Sequence, residues 1–405
     1  IMGSLAPNSV SAIVTDPPYG LEFMGHGWDR GVPGSDFWTR ALRVAKPGAH
    51  LLAFGGTRTY HRLVCAIEDA GWEIRDCLMW LHGQGFPKSH NIGKSIDKAA
   101  GAEREVVGRR TDRAATPKQD IRGGNFMNGI NGGIDCSAIT APATDAARQW
   151  EGWGTALKPA VEPIVLARKP LEGTVAENVQ KYGTGALNID GCRIPMGDEY
   201  DPMKMQHCQT EQPGHTVTLN NPGFSTPTYK PGGRWPANLM LSHLSMCEQV
   251  GTREEAVWNC APGCPVALLN EQSGTIKNGT GTGGQRTYTN ECGQFAGVHG
   301  VLPKPTEHTI YNDTGGAARF FYCAKVNKHE RGEANRHPTI KPVALMEYLI
   351  RLITPPKGLV LDPFAGSGST LLAADRLGFA SIGIEKEPHY YDLILSRVTG
   401  AAYDP

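Results

Sequence analysis

Three groups of residues in this chain have the types and spacing to do chemistry. The first is Asp16-Pro17-Pro18-Tyr19, at the end of an apolar run, Val10–Thr15, that reads as a strand. Two consecutive prolines stiffen the string and remove two backbone donors, which leaves carbonyls as acceptors. Asp16 adds a carboxylate and Tyr19 an aromatic face. Together they could hold an exocyclic amino group by two acceptors while its ring stacks on Tyr19. A plain proline turn after a strand gives the same string, and the string alone does not separate the two.

The second group lies near the other end. Gly358–Asp362 is a short apolar run of the kind that forms a buried parallel strand. A small-residue loop, Pro363–Gly368, follows. Ser369–Leu377 reads as a helix ended by Gly378, and Ala380–Ile384 as a second strand with Glu385 at its tip. This is a βαβ unit with glycines after its first strand and an acid 23 positions beyond Asp362. Such a layout binds adenosine-containing cofactors: the glycines let the backbone approach, and the acid accepts hydrogen bonds from ribose hydroxyls. Leu371 is too bulky for the third small position of a dinucleotide fingerprint, and no phosphate loop of the G-x-x-x-x-G-K-[ST] type occurs. A cofactor without phosphates fits better. On the glycine loop alone, an ordinary strand–helix turn is an equal reading.

The third group is His243-x3-Cys247 and, twelve residues later, Cys260-x3-Cys264. These residue types and this loop length suit a tetrahedral zinc site that staples a turn-rich region. The competing reading is buried thiols and a surface histidine.

The elements that must position these groups come from the two ends of the chain. Its 405 residues suffice for one large α/β domain with insertions, or for two domains. The first 80 and last 70 residues read as compact α/β. The stretch from about Gly83 to Arg336 is polar and turn-rich, with loop-like glycine runs at Gly123–Gly133 and Asn278–Gly284. Ala49–Phe54, Trp72–Trp80 and Val161–Ala167 read as further strands, the last two as antiparallel neighbours at a sheet edge. An amphipathic helix with Val343, Met346, Leu349, Ile350 and Ile353 on one face follows Pro342, which suits a first turn. Forty basic residues balance forty acidic ones, which excludes a globally basic binder and an acidic disordered chain. Lys88–Arg122 carries nine Lys/Arg against five Asp/Glu, a local excess that could line phosphates or form a solvated helix face. No apolar run is long enough to span a bilayer and no leader is read, so the expectation is a cytoplasmic protein without membrane contact. Ten cysteines are too few for a disulfide scaffold.

Asp16–Tyr19 resembles the catalytic motif of the DNA amino-methyltransferases, which methylate N6 of adenine or N4 of cytosine. Asp362–Thr370 (DPFAGSGST) resembles their S-adenosylmethionine motif, and His337–Pro342 (HPTIKP) resembles the segment preceding it in one subgroup. Catalytic motif first and cofactor motif last is the order of the β group. Gly154–Pro170, Leu187–Ile194 and Arg234–Asn238 are also similar to segments of phage and prophage methylases.

The resemblance implies an α/β, Rossmann-like methyltransferase fold with a mixed seven-stranded sheet, circularly permuted with the catalytic half first, and large target-recognition insertions. It divides the chain into a catalytic half (1–82), a DNA-contacting insertion in the edge hairpin (83–158), a returning strand (159–169), a target-recognition region with the candidate zinc site (170–334), and a cofactor half (335–405). It implies Asp16, Pro17, Pro18 and Tyr19 as catalytic residues. The S-adenosylmethionine residues would be Asp362, Pro363, Phe364, Gly366, Ser367, Gly368 and Glu385, with Thr339 and Lys341 near the carboxylate at the helix entrance. It implies double-stranded DNA as partner, and a homodimer. Only 15 residues precede Asp16, where the family usually has a strand ending in an acid; that contact to the cofactor's adenine is assigned to no residue here. The aspartate that opens the motif goes in the family mainly with adenine N6, and a serine mainly with cytosine N4. A cytosine-C5 enzyme would need a cysteine, typically in a Pro-Cys dipeptide, and the chain has none. Rival expectations are an RNA or protein methyltransferase, and a catalytically inactive, zinc-stapled DNA-binding protein.

Overall fold

The computed structural model describes residues 1–21, 29–83, 85, 89–109, 138–194, 233–244, 246–250, 258–277, 314–324 and 340–399. They form two compact units, one drawn from residues 1–18, 32–83 and 162–405 and the other from 19–31 and 84–161.

The larger unit is built on an eight-stranded sheet. Its strands are β1 (Val10–Thr15), β2 (Ala45–Phe54), β3 (Glu73–Leu81), β4 (Val161–Arg168), β5 (Leu239–Ser242), β6 (Tyr322–Ala324), β7 (Leu359–Asp362) and β8 (Ala380–Gly383). Their spatial order is β6-β5-β3-β4-β2-β1-β7-β8. β1 runs parallel to both β2 and β7, β7 to β8, β3 to β5, and β5 to β6; β4 is antiparallel to β2. β1 is buried along its whole length and β2 nearly so. That is why both read as continuous apolar runs without alternation.

The sheet has eight strands rather than seven, and the β3/β4 pair lies inside it rather than at its edge. The two strands responsible, β5 and β6, have four and three residues. Runs so short carry no readable period. β5 joins through register with β3, Met79 beside Leu239 and Leu81 beside Leu241, and β6 joins through β5, Tyr322 beside Met240. A buried hydrogen bond of 2.7 Å, from the Trp80 indole to the Ser242 hydroxyl, locks that pair.

Helices α1 (Ser35–Val44) and α2 (Tyr60–Asp69) contribute Trp38, Ala41, Val44, Leu63 and Ile67 to a core shared with Val10, Ile13, Leu51, Val165 and Leu361. Pro265–Ser273 forms α3, Val343–Ile353 α4, Ser369–Arg376 α5 and Pro388–Thr399 α6. The stripe expected on α4 is buried, and so are Leu345, Tyr348 and Leu352. A helix apolar on nearly every side is an interior helix, and α4 packs against α5, β1 and β2. The residues just before it are therefore held firmly.

β1 and β7 pair with Ala12 beside Val360 and Ile13 beside Leu361. The chain then leaves β1 toward β2 and β7 toward β8, in opposite directions. The crevice at their C-terminal ends is a topological switch point, where open α/β sheets bind ligands.

In the smaller unit, helix Ile92–Ala99 and helix Asp145–Gln149 accompany an antiparallel pair, Val106–Arg109 with Ala138–Thr140. Asp97 is its buried polar centre. It accepts from the Ala143 and Thr144 amides, the Thr144 hydroxyl and the Arg104 guanidinium. Among the described residues, no helix is long and apolar enough to cross a membrane.

Candidate active site

β7 ends on Asp362, whose buried carboxylate organises the glycine loop. One oxygen accepts from the Thr15 hydroxyl at 2.7 Å and the Phe364 amide at 3.0 Å; the other accepts from the Thr370 hydroxyl. Burial pushes the carboxyl up to about 6, against the pull of those three donors, and the nearby Asp16 charge pushes the same way. Asp362 thus ties the tip of β1 to the loop after β7 and to the first turn of α5.

The loop turns through two left-handed glycines, Gly366 (φ 52°) and Gly368 (φ 80°). A β-carbon on Gly368 would also meet Ile394 at 3.0 Å, so glycine is required there twice over. The Gly366 amide donates to Glu385 at 2.7 Å, and the other oxygen of Glu385 accepts from the Lys386 and Glu387 amides. Arg397 of α6 donates to the Ser367 carbonyl and hydroxyl. Phe364 packs on Phe37, with ring centroids 4.7 Å apart.

These residues suit an adenosyl group bearing an amino-acid tail. Glycine backbone, an aromatic ring and a strand-tip carboxylate line the loop, and its arginine is committed to Ser367. Asp362, Pro363, Phe364, Gly366, Ser367, Gly368 and Glu385 share this one loop and strand tip. Thr339 lies outside the described residues, as do the two glycine runs named above.

Asp16 follows β1 directly. The buried Lys341 ammonium contacts it at 2.7 Å and contacts Glu162 of β4 at 3.1 Å. The same ammonium lies 4.8 Å from the Phe54 ring centroid. Burial alone would lower the Lys341 pKa, but the two carboxylates outweigh it and the pKa is raised. Lys341 is therefore a cation in the crevice. Glu162 in turn meets His82 at 3.5 Å, and the His82 ring packs 4.8 Å from Trp80.

Sequence reasoning placed Lys341 by the cofactor carboxylate and did not single out Glu162, His82 or Trp80. Glu162 did leave a signal: it is the one charge in the otherwise apolar run Val161–Ala167. A second omission is Asp29. In the smaller unit its buried carboxylate accepts from the Gly20 and Leu21 amides, which fixes the chain just past Tyr19.

Of the basic stretch 88–122, Lys94, Lys98, Arg104 and Arg109 are described. Arg104 is spent on Asp97 and Glu151, at 3.0 and 3.1 Å. Lys88 and residues 110–122 lie outside the described residues.

His243, Cys247, Cys260 and Cys264 do come together. Their ligand atoms all lie within 4.8 Å of one another, just past the C-terminal end of β5.

The N6/N4 DNA methylase family model matches residues 10–396. The chain is 48% identical over 441 residues to the type II methyltransferase M.HindIII of Haemophilus influenzae, covering 97% of this chain and 90% of that one. A shorter match, 39% identical over 75 residues, joins 18% of this chain to 25% of the type II methyltransferase M.ScaI of Streptomyces caespitosus. Among solved structures, the M1.HpyAVI–SAM complex matches at 15% identity and TM-score 0.36, covering 96% of this chain and 89% of that one. The cytosine-N4-specific PvuII DNA methyltransferase matches at 13% identity and TM-score 0.38, covering 98% and 82%.

Proposed function

The chain belongs to the N6/N4 DNA methylase family, whose methyl donor is S-adenosylmethionine and whose substrate is DNA, and we propose that within it this protein methylates N6 of adenine in duplex DNA. The observation that carries the reading is the aspartate that opens the acceptor string, set at the β1/β7 switch point beside the glycine loop.

The target base is turned out of the duplex, at a cost of a few kcal/mol in lost stacking. The Asp16 carboxylate and the Pro17 carbonyl accept hydrogen bonds from the amino group. This draws the nitrogen lone pair out of conjugation with the ring and aims it at the methyl. Tyr19 stacks on the base, and the Asp29 bonds to Gly20 and Leu21 hold the segment that carries it. When bound at the glycine loop, S-adenosylmethionine supplies an electrophilic methyl on a sulfonium. The nitrogen then sheds one proton through its acceptors to water. No covalent link to the protein is needed, so the rate gain rests on alignment, which can supply about 7–11 kcal/mol.

Lys341 serves this geometry by fixing the Asp16 carboxylate. Its place against Asp16 and Glu162 makes it a positioning residue for the acceptor, alongside the contact to the cofactor carboxylate that the family resemblance implies.

The test is a product analysis. DNA incubated with the protein and methyl-labelled S-adenosylmethionine is digested to nucleosides and separated. The expected label is on N6-methyldeoxyadenosine; label on N4-methyldeoxycytidine overturns the choice of base.

A further inference from the structure

His243 leaves the end of β5 and stacks on Trp258, with centroids 4.1 Å apart and planes 17° apart. That stacking aims Nδ1 at two sulfurs, Cys260 Sγ at 3.5 Å and Cys264 Sγ at 3.6 Å. A single imidazole nitrogen has one proton to give or one lone pair to offer, so it satisfies one thiol and not two. The same two distances are edges of a tetrahedron: ligands at about 2.0–2.1 Å for nitrogen and 2.3 Å for sulfur stand about 3.5–3.6 Å apart.

The backbone also turns a donor toward one of the sulfurs. Cys247 Sγ accepts from the Ala261 amide at 3.3 Å. Cys264 is the N-cap of α3, where the helix dipole favours negative charge. The knuckle between Cys260 and Cys264 closes through a turn, Cys264 N–H to the Ala261 carbonyl at 3.1 Å. Pro262 and Gly263 (φ 79°) fill the positions such a turn demands. All three thiols are free, so no disulfide competes for them.

We propose that His243 Nδ1, Cys247, Cys260 and Cys264 bind one zinc ion as a closed structural site, pinning the β5 exit, the pair Glu248–Gln249/Trp258–Asn259 and the start of α3 to one another. Three soft thiolates and one imidazole in tetrahedral reach select zinc over the hard cations. Four protein ligands leave no position for a substrate, so the ion stabilises and does not catalyse. Its loading closes the widest ligand separation, at most 4.8 Å, by about 1 Å to a tetrahedral edge. The site lies beside the Trp80–Ser242 bond and away from the glycine loop, so it fastens the β5/β6 end of the sheet.

The experiment uses the full chain, expressed in zinc-supplemented medium and purified without chelators. Elemental analysis should find about one zinc per chain. Replacement by cobalt(II) should give the visible bands of tetrahedral thiolate coordination. Cys264→Ala and His243→Ala should each lose the ion or the tetrahedral spectrum, while Cys65→Ser, an exposed thiol on α2, should keep both. If a variant does not fold, the parent's stoichiometry and cobalt spectrum decide alone. A folded parent with less than a tenth of an ion per chain after incubation with excess zinc overturns the proposal, as does a Cys264→Ala protein that keeps the parent's cobalt spectrum.

Discussion

The C-terminal edge of the sheet buries polar groups in two places, and the two balance them differently. Where β1 and β2 end and β4 begins, the carboxylates of Asp16 and Glu162 meet the Lys341 ammonium within 3.1 Å. Charge answers charge inside the chain. Past β5, three thiols and an imidazole crowd within 4.8 Å, and every one of them is a donor to a metal. Their common complement is an ion from outside. The first arrangement is complete as folded; the second is completed by binding. This difference separates a centre whose stability belongs to the fold from one whose stability depends on metal supply.

The sharpest way to break the comparison is to remove the cation. Lys341→Met leaves two partly buried carboxylates without the buried cation that pairs them, and losing one member of a buried ion pair costs about 3–5 kcal/mol. Urea denaturation should show a loss of that size. Adding Asp16→Asn and Glu162→Gln to Lys341→Met should restore much of it, because no uncompensated charge remains. A Lys341→Met protein as stable as the parent would mean the charges are not balanced within the chain.

Removing the acceptor tests chemistry rather than stability. Asp16→Ala should lower methyl transfer by about 10²–10³-fold, the scale of losing one preorganised polar contact to the reacting group. Binding of S-adenosylmethionine, measured by calorimetry, should be largely intact. Tyr19→Phe should be mild, because stacking uses the ring, and Tyr19→Ala severe. An Asp16→Ala enzyme above a tenth of parental activity does not fit the role.

The two places also differ in how far they could be read in advance. His243 to Cys264 spans a short stretch, and the spacing of ligand residues is itself the signal. Strands β1, β7 and β8 and the helix after the glycine loop were legible for the same reason: each is a local run with its own punctuation. Lys341 and Asp16 are 325 positions apart, and only the order of strands brings them together. Glu162 could be seen as an odd charge in an apolar strand, but its partner could not. β5 and β6 escaped because their burial comes from the strands they join, β3 for β5 and β5 for β6, rather than from any pattern of their own. Asp29 escaped because one carboxylate capping two amides leaves no period.

A third test concerns Asp362, which is buried and, among the described residues, has no ion-paired cation of its own. Its carboxyl is raised from 3.8 to about 6, so the folded state holds the proton more tightly than the unfolded chain does. Its contribution is therefore most favourable below pH 4, declines between pH 4 and 6, and is constant above. By linkage the swing is about 3 kcal/mol. Stability curves of the parent and Asp362→Asn should differ in slope across that window and run parallel above it. Parallel curves throughout would place Asp362 in a better-solvated setting than its burial indicates.

The smallest effect belongs to the bond that joins the two places. Trp80 packs against Phe54 and His82 on the charged side and donates to Ser242, the residue before His243, at 2.7 Å. Both side chains are buried, so the bond is shielded from water, yet folding exchanges it for bonds to solvent and its net worth is about 0.5–1.5 kcal/mol. Trp80→Phe keeps the ring's packing and removes the donor; Ser242→Ala removes the acceptor. If the bond carries the link between β3 and β5, the double variant should cost less than the sum of the singles by about that amount. The same cycle read in methylation rate asks whether the link matters to catalysis. Coupling in stability without coupling in rate would show that the charged crevice keeps its geometry when the metal-binding end loosens. Coupling in both would make Trp80 the strut through which the order of that end reaches Asp16.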